Sequence, residues 1–396
     1  MCSFNSLNVS EELLRSIDKM DLKAMTPIQV KAIPLALKGK DVIGCAQTGT
    51  GKTMAFLIPV LEKILQCHNK RALILVPTRE LASQIQNVIN QLLYKIPTIS
   101  SLLLIGGAPI FKQIQKLKHD VNIIVGTPGR ITDHLKRHSL NFQRLELLVL
   151  DESDRMLDMG FSTQLNYILK QLPIKRQTLM FSATFSSKIL SLSKQYLQNP
   201  ETVNIEPSKR ITSRIEQKVI KTSHSSKYKD LLHTLNTCKG SIIIFVNTKS
   251  HAETLSKKLS YNKYSVAKLH GDVFHRKREK VVKNFRAKIL RIMVATDIAS
   301  RGLDILHVQY VINYDLPMSR EDYIHRIGRT GRAGCTGHAI NFVAPGEYNK
   351  WNKIQKLIND SSTTTKKKNH QSKHTKHFFN KKKKTRTMKT RKKSTQ

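Results

Sequence analysis

The sequence predicts an α/β chain with two tandem domains, each built on a parallel sheet. Three observations carry that prediction. Short apolar runs recur along the 396 residues, and each ends at once in a polar or glycine-rich cluster, the pattern of strands buried on both faces. Amphipathic stretches such as Glu80–Leu93 and Thr163–Leu172 lie between the runs and supply crossover helices. A charged interval at Asn204–Glu216, with Pro207, Ser208 and Ser213, divides the runs into two sets and suits an exposed connection.

Val42-Ile43 leads into Cys45-Ala46-Gln47-Thr48-Gly49-Thr50-Gly51-Lys52-Thr53, a glycine-rich loop between a strand and a helix. Backbone N–H groups of such a loop surround phosphate oxygens, Lys52 reaches the terminal phosphates of a nucleoside triphosphate, and the Thr53 hydroxyl ligates Mg²⁺. Ala46 stands where the G-x-x-x-x-G-K-[ST] pattern has its first glycine, so the loop needs support from other motifs. Further runs follow in order. Ala72–Val76 precedes Pro77-Thr78-Arg79-Glu80, Leu102–Ile105 precedes Gly106-Gly107, and Val121–Val125 precedes Gly126–Arg130. Leu147–Leu150 precedes Asp151–Asp154, and Thr178–Phe181 precedes Ser182-Ala183-Thr184. The polar clusters therefore fall at strand C-termini, where open α/β sheets place their ligands.

The second half repeats the pattern without repeating the sequence. Ile242–Val246 precedes Asn247-Thr248, Val266–Leu269 precedes His270-Gly271-Asp272, Ile292–Ala295 precedes Thr296-Asp297, and Tyr310–Asn313 precedes Tyr314-Asp315. The expected layout is a first domain at 1–207, a linker at 208–217, a second domain at 218–360 and a disordered basic tail at 361–396. Asp151-Glu152-Ser153-Asp154, ending a buried strand, suits an acidic pair that holds Mg²⁺ and activates water. In that pair Asp151 supports the metal and Glu152 orients or deprotonates the attacking water.

Charge names the class of partner. The formal net charge is +40; the last 36 residues hold 14 Lys or Arg and no acid, which leaves +26 on the rest. Both parts favour a polyanion such as nucleic acid, bound less tightly as salt rises. The tail from Ser361 offers only Phe378, Phe379 and Met388 as larger apolar groups, too few for a core, and reads as an RNA anchor or a targeting appendage. Five cysteines, Cys2, Cys45, Cys67, Cys238 and Cys335, form no close pair, which argues against a disulfide framework or a zinc site. The N-terminus has no secretory pattern and no apolar run approaches a bilayer's width, so the expected location is cytoplasmic, away from membranes.

In order and content these motifs resemble the DEAD-box ATP-dependent RNA helicases of superfamily 2, over about residues 4 to 343. Thr26-Pro27-Ile28-Gln29 resembles the adenine-reading Q motif, and Ala46–Thr53, Pro77–Leu81, Thr127-Pro128-Gly129-Arg130 and Ser182-Ala183-Thr184 resemble motifs I, Ia, Ib and III. Ala295–Asp304 resembles motif V, and His325-Arg326-Ile327-Gly328-Arg329-Thr330-Gly331-Arg332 resembles motif VI. The resemblance implies two RecA-like domains that close around ATP and a single RNA strand. It implies that Arg329 and Arg332 stabilise charge on the transferring phosphoryl group, while His325 and Arg301 organise water and the domain contact. Asp304 meets the ribose, Gln29 and Thr26 hold the adenine edge, and Phe4 stacks on its face. Asp154, Ser182 and Thr184 couple the phosphate site to RNA. The implied RNA contacts are Thr78, Arg79, Gly107, Thr127, Gly129 and Arg130 in the first domain and Thr248, Gly271, Arg278 and Thr296 in the second. These are mostly small or basic groups suited to phosphates and 2′-hydroxyls.

Ser153 departs from the alanine that gives the family its name, Asp21-Leu22 replaces a usual glycine and aromatic residue, and His275 stands where glutamine is common. Trp351 falls in an amphipathic stretch, Tyr348–Ile358, and reads as packing. The short ends look similar to bacterial RhlE-type members. The activity implied is an RNA-dependent ATPase that separates short duplexes or remodels ribonucleoprotein, as a monomer on ribosomal or mRNA-decay particles. Two alternatives stay open: an ATP-gated RNA clamp or annealing protein with little turnover, and a DNA-directed motor on the same scaffold. A nuclear address for the lysine-rich end remains the alternative to the RNA anchor.

Overall fold

Strands whose residues are almost all buried suit sheets whose apolar side chains are covered on both faces. In the computed structural model, which describes residues 2–47, 49–185, 187–205, 215–297, 307–331 and 336–356, they assemble into two sheets. The first comprises Val42–Cys45 (β1), Arg71–Leu75 (β2), Ser101–Leu104 (β3), Ile123–Gly126 (β4), Leu145–Leu150 (β5), Gln177–Ser182 (β6) and Glu201–Asn204 (β7), in the order β3-β4-β2-β5-β6-β1-β7. The second comprises Ile215–Lys221 (β8), Ile242–Phe245 (β9), Val266–Leu269 (β10), Ile292–Ala295 (β11), Tyr310–Asn313 (β12) and Gly337–Val343 (β13), in the order β10-β11-β9-β12-β13-β8. Every neighbouring pair is parallel. Two parallel-sheet α/β lobes are what the repeating apolar runs predict.

Successive residues of each strand feed opposite cores. Leu147 and Val149 of β5 join Ile28, Phe56 and Ile74 on one face, while Leu148 and Leu150 join Leu73, Ile124 and Met156 on the other. The second lobe divides Ile242 and Ile244 from Ile243 and Phe245 in the same way.

Three strands lack the apolar runs that mark the others. β7 and most of β8 are exposed sheet edges, where polar residues cost nothing to solvate. β8 begins at Ile215, within the interval read as a connection. β13 is buried but contains Asn341, whose side chain accepts from Asn313 Nδ2 at 2.7 Å and donates to the Lys218 carbonyl at 3.3 Å. Trp351 is 5% exposed and packs edge-on against Tyr323, with ring centroids 5.6 Å apart.

Register sets the site. The order β5-β6-β1 places Leu150, Ser182 and Cys45 at neighbouring strand ends, and Cys45 lies level with Ser182. The Ala46 N–H then donates to the Ser182 carbonyl at 3.1 Å, and the Asp151 N–H to the Leu75 carbonyl at 3.0 Å. Phosphate loop, acidic pair and Ser-Ala-Thr segment thus meet at one sheet edge. Among the described residues no helix is long and apolar enough to cross a membrane.

Candidate functional site

The phosphate loop turns through two left-handed glycines, Gly49 at φ +82° and Gly51 at φ +89°, and Gly51 caps helix Lys52–Gln66. A Cβ on Gly51 would lie 2.5 Å from Gln29 Nε2 and 3.0 Å from Thr26 Oγ1, so only glycine fits. Gln29 fills that space with purpose. Its Nε2 donates to the Gly51 carbonyl at 2.9 Å, and its Oε1 accepts from the Thr26 N–H at 2.8 Å. A primary amide has two N–H groups and two carbonyl lone pairs, so each end of Gln29 keeps one position for another partner. Thr50 Oγ1 donates to the Gln47 carbonyl at 2.7 Å, and Lys52 Nζ donates to the Ala46 carbonyl at 2.8 Å. Thr53 follows Lys52 in the first turn of the helix. Phe4, expected to stack on a base, is 2% exposed and packs into the first lobe's core.

Asp151 is 3% exposed. Burial pushes its carboxyl up to about 7, while the Lys52 ammonium pulls the other way. Glu152 takes a left-handed backbone, φ +49° and ψ +48°, which a β-carbon disfavours and which functional corners tolerate. Its Oε2 lies 3.1 Å from Arg155 Nη1 in a buried ion pair. Asp154 fastens the neighbouring segment: Oδ2 accepts from the Ala183 N–H at 3.1 Å, the Thr184 N–H at 3.0 Å and Thr184 Oγ1 at 3.0 Å. Ser182 Oγ donates to the Thr184 carbonyl at 2.7 Å. The unusual Ser153 is fully buried, and its hydroxyl donates to the Phe181 carbonyl at 3.1 Å, so it joins the same helix, Ser153–Asp158, to β6.

These donors suit a hard divalent cation. Among the described residues no group of three His, Cys, Asp or Glu is placed to hold an ion by itself. Mg²⁺ is commonly held by one or two carboxylates together with nucleotide phosphates and water, and Asp151 with Thr53 matches that pattern.

Seven of the ten expected RNA contacts line one cleft of about 440 Å³. Thr78, Arg79, Thr127, Gly129 and Arg130 come from the first lobe, and Gly271 and Arg278 from the second. Gly107, Thr248 and Thr296 are not part of that lining. Helix-capping explains several positions: Thr78 Oγ1 accepts from the Leu81 N–H at 3.3 Å, and Thr248 Oγ1 from the His251 N–H at 3.1 Å. Arg278 Nε donates to Glu80 Oε1 at 2.6 Å, a buried ion pair between the lobes.

Sequence reasoning missed what steadies the cleft. Gln113 Oε1 accepts from Arg130 Nη1 at 2.9 Å and contacts His134 Nε2 at 2.9 Å, while His134 Nδ1 meets Ser139 Oγ at 2.9 Å. No motif marks either residue. Arg326 was visible inside the run from His325 to Arg332, yet its job is internal. It is 1% exposed, grips both oxygens of Asp297 at 2.7 Å and lies 5.0 Å from the Phe245 ring centroid. His325 and Arg329 form a group on the second lobe, where Arg329 Nε donates to the His325 carbonyl at 3.2 Å. Thr48, Arg301, Asp304, Arg332, the His275 side chain and the basic segment from 361 onward lie outside the described residues.

Comparison with known proteins gives the family. Residues 26–192 match the DEAD/DEAH box helicase family and residues 225–334 the helicase conserved C-terminal domain. The ATP-dependent RNA helicase CshA of Listeria monocytogenes is 43% identical over 349 residues, 88% of this chain and 67% of that one. S. cerevisiae Dbp5 bound to RNA and ADP BeF3 superposes with a TM-score of 0.81 at 34% identity, covering 90% of this chain and 93% of that one. A Dbp5 variant from S. cerevisiae bound to Nup159, a Gle1 variant, IP6 and ADP gives 0.63 at 33% identity, with 89% and 94% covered. The chain belongs to the DEAD-box family of ATP-dependent RNA helicases.

Proposed function

We propose that this chain, an RNA-dependent ATPase that unwinds short duplexes or remodels ribonucleoprotein, works by closing its two lobes over ATP and one RNA strand. The observation that carries the mechanism is the Asp154 carboxylate, which binds the start of the helix after β5, Ser153–Asp158, to the Ser182–Thr184 segment with three hydrogen bonds. Gln29 reads adenine with the N–H and lone pair that Gly51 and Thr26 leave over, matching the donor and acceptor of the adenine edge. Backbone N–H groups from Gly49 to Thr53 and the Lys52 ammonium hold phosphate oxygens. Thr53 and Asp151, the latter through water, would hold Mg²⁺, which when bound offsets charge on the phosphates.

Glu152 turns from Arg155 toward the attacking water and orients it or takes its proton. His325, Arg329 and Arg332 arrive with the second lobe, and the two arginines offset charge building on the transferring group. Arg79, Arg130 and Arg278 hold the RNA backbone with Thr78, Thr127, Gly129 and Gly271, contacts that carry no base sequence. Arg301 and Asp304 complete the nucleotide contacts from the second lobe. The reading extends to a cytoplasmic monomer acting on ribosomal or messenger-decay ribonucleoprotein.

Turnover measured with RNA, with DNA and with neither tests the reading. Strong stimulation by RNA alone is expected. Glu152→Gln abolishes turnover and keeps ATP-dependent RNA binding; loss of both would contradict the role given to Glu152.

A further inference from the structure

A second concavity of 390 Å³ adjoins the cleft on the second lobe, and the segment 270–278 serves both. Gly271 and Arg278 face the cleft, whereas Asp272, Phe274 and Lys277 line the concavity together with Lys249 and Lys268. Phe274 is 85% exposed. A single exposed aromatic is ordinary on a protein surface, but this ring lines a hollow with three lysines, and its chain neighbours Gly271 and Arg278 line the cleft. Its neighbours are arranged for exchange. Lys249 Nζ meets Asp272 at 2.6 Å, with both side chains more than half exposed, a pairing that a phosphate displaces at little cost. Lys277 has no ion pair among the described residues. Glu253 occupies Lys268 and contacts His270 Nε2 at 2.8 Å, which leaves Lys249 and Lys277 as the available cations. Arg276, Lys280 and Lys283 continue the exposed basic surface along helix His275–Arg286.

We propose that Phe274 is a stacking platform for one unpaired base of an RNA strand running out of the cleft, with Lys249 and Lys277 taking the phosphates on either side. A π-face accepts any base, so the platform lengthens the RNA footprint without adding sequence preference. The proposal rests on the cleft being the RNA track.

Equilibrium binding of oligouridylates lengthened one nucleotide at a time, with a non-hydrolysable ATP analogue, separates the two readings. Affinity rises by a step of about five- to tenfold when the strand reaches Phe274. Phe274→Ala removes the step, and the shortest oligonucleotides that bind at all bind both proteins alike. An abasic nucleotide at the step position lowers the wild type to the level of the variant. Phe274→Trp keeps the step and its fluorescence is quenched by the stacked base, read against Trp351, which is only 5% exposed. A step that survives Phe274→Ala, an abasic strand that binds as well as uridine, or an unquenched Phe274→Trp overturns the platform. Were this face to dock a protein instead, Phe274→Ala would leave every RNA length unchanged. Equal affinity of Arg79→Ala and wild type for the shortest strands would overturn the cleft as the track, whereas the Phe274 variants report only on the longer strands.

Discussion

The Ser153 hydroxyl is satisfied by the Phe181 carbonyl, so the residue that departs from the family name adds a bond between the helix that follows β5 and β6 rather than disturbing one. Ser153→Ala is expected to lower unfolding free energy by about 1 kcal/mol in urea while ATP turnover persists. Asp154→Ala should act differently. It removes the acceptor of three hydrogen bonds from the Ala183–Thr184 segment and of one from the Arg155 N–H, and RNA unwinding is expected to fall further than ATP hydrolysis when both are measured on one preparation. Asp151 gives a pH signature. Its carboxyl is raised to about 7, so protons compete with a cation below that pH. Apparent Mg²⁺ affinity should therefore weaken as pH falls below about 7 and level off above it. The same elevation means the empty fold favours the protonated acid, so stability of the unliganded protein gains as pH drops from 7 toward 4 through this group.

At the scale of elements, β1 and β6 are matched by a glycine. A Cβ at Gly44 would stand 2.5 Å from the Phe181 ring, which packs against Phe56 with centroids 5.5 Å apart. Gly44→Ala is expected to cost about 1–3 kcal/mol of stability, read by thermal unfolding. Behind the cleft, burial holds the His134 imidazole below its ordinary value. Its folded state resists a proton that the unfolded chain accepts, so stability is unaffected above about pH 6.5 and declines as pH falls below it. His134→Gln should flatten that slope.

The same elements show where the sequence speaks. Strands buried on both faces announce themselves as apolar runs, and Gly51, Lys52, Asp151 and Asp154 sit at run ends because the parallel sheet puts its open edge there. β7 and β8 were silent because edge strands tolerate polar residues, and β13 because Asn341 interrupts its run while pairing internally. Gln113 and His134 act through each other across 21 residues, a spacing that no local pattern records.

For the whole molecule, the lobes touch through Glu80 and Arg278 inside the cleft expected to hold RNA. A double-mutant cycle with Glu80→Gln and Arg278→Ala, scored on RNA-stimulated kcat/KM, should show non-additivity of about 1–3 kcal/mol; simple additivity would deny the contact a part in closure. Like the groove arginines it should also respond to salt, since a strand and a carboxylate both address Arg278. That shared cation has a mechanical consequence. A chain whose halves already clasp each other need not reunite from afar after every round, and an arriving transcript meets jaws that only have to find the right angle.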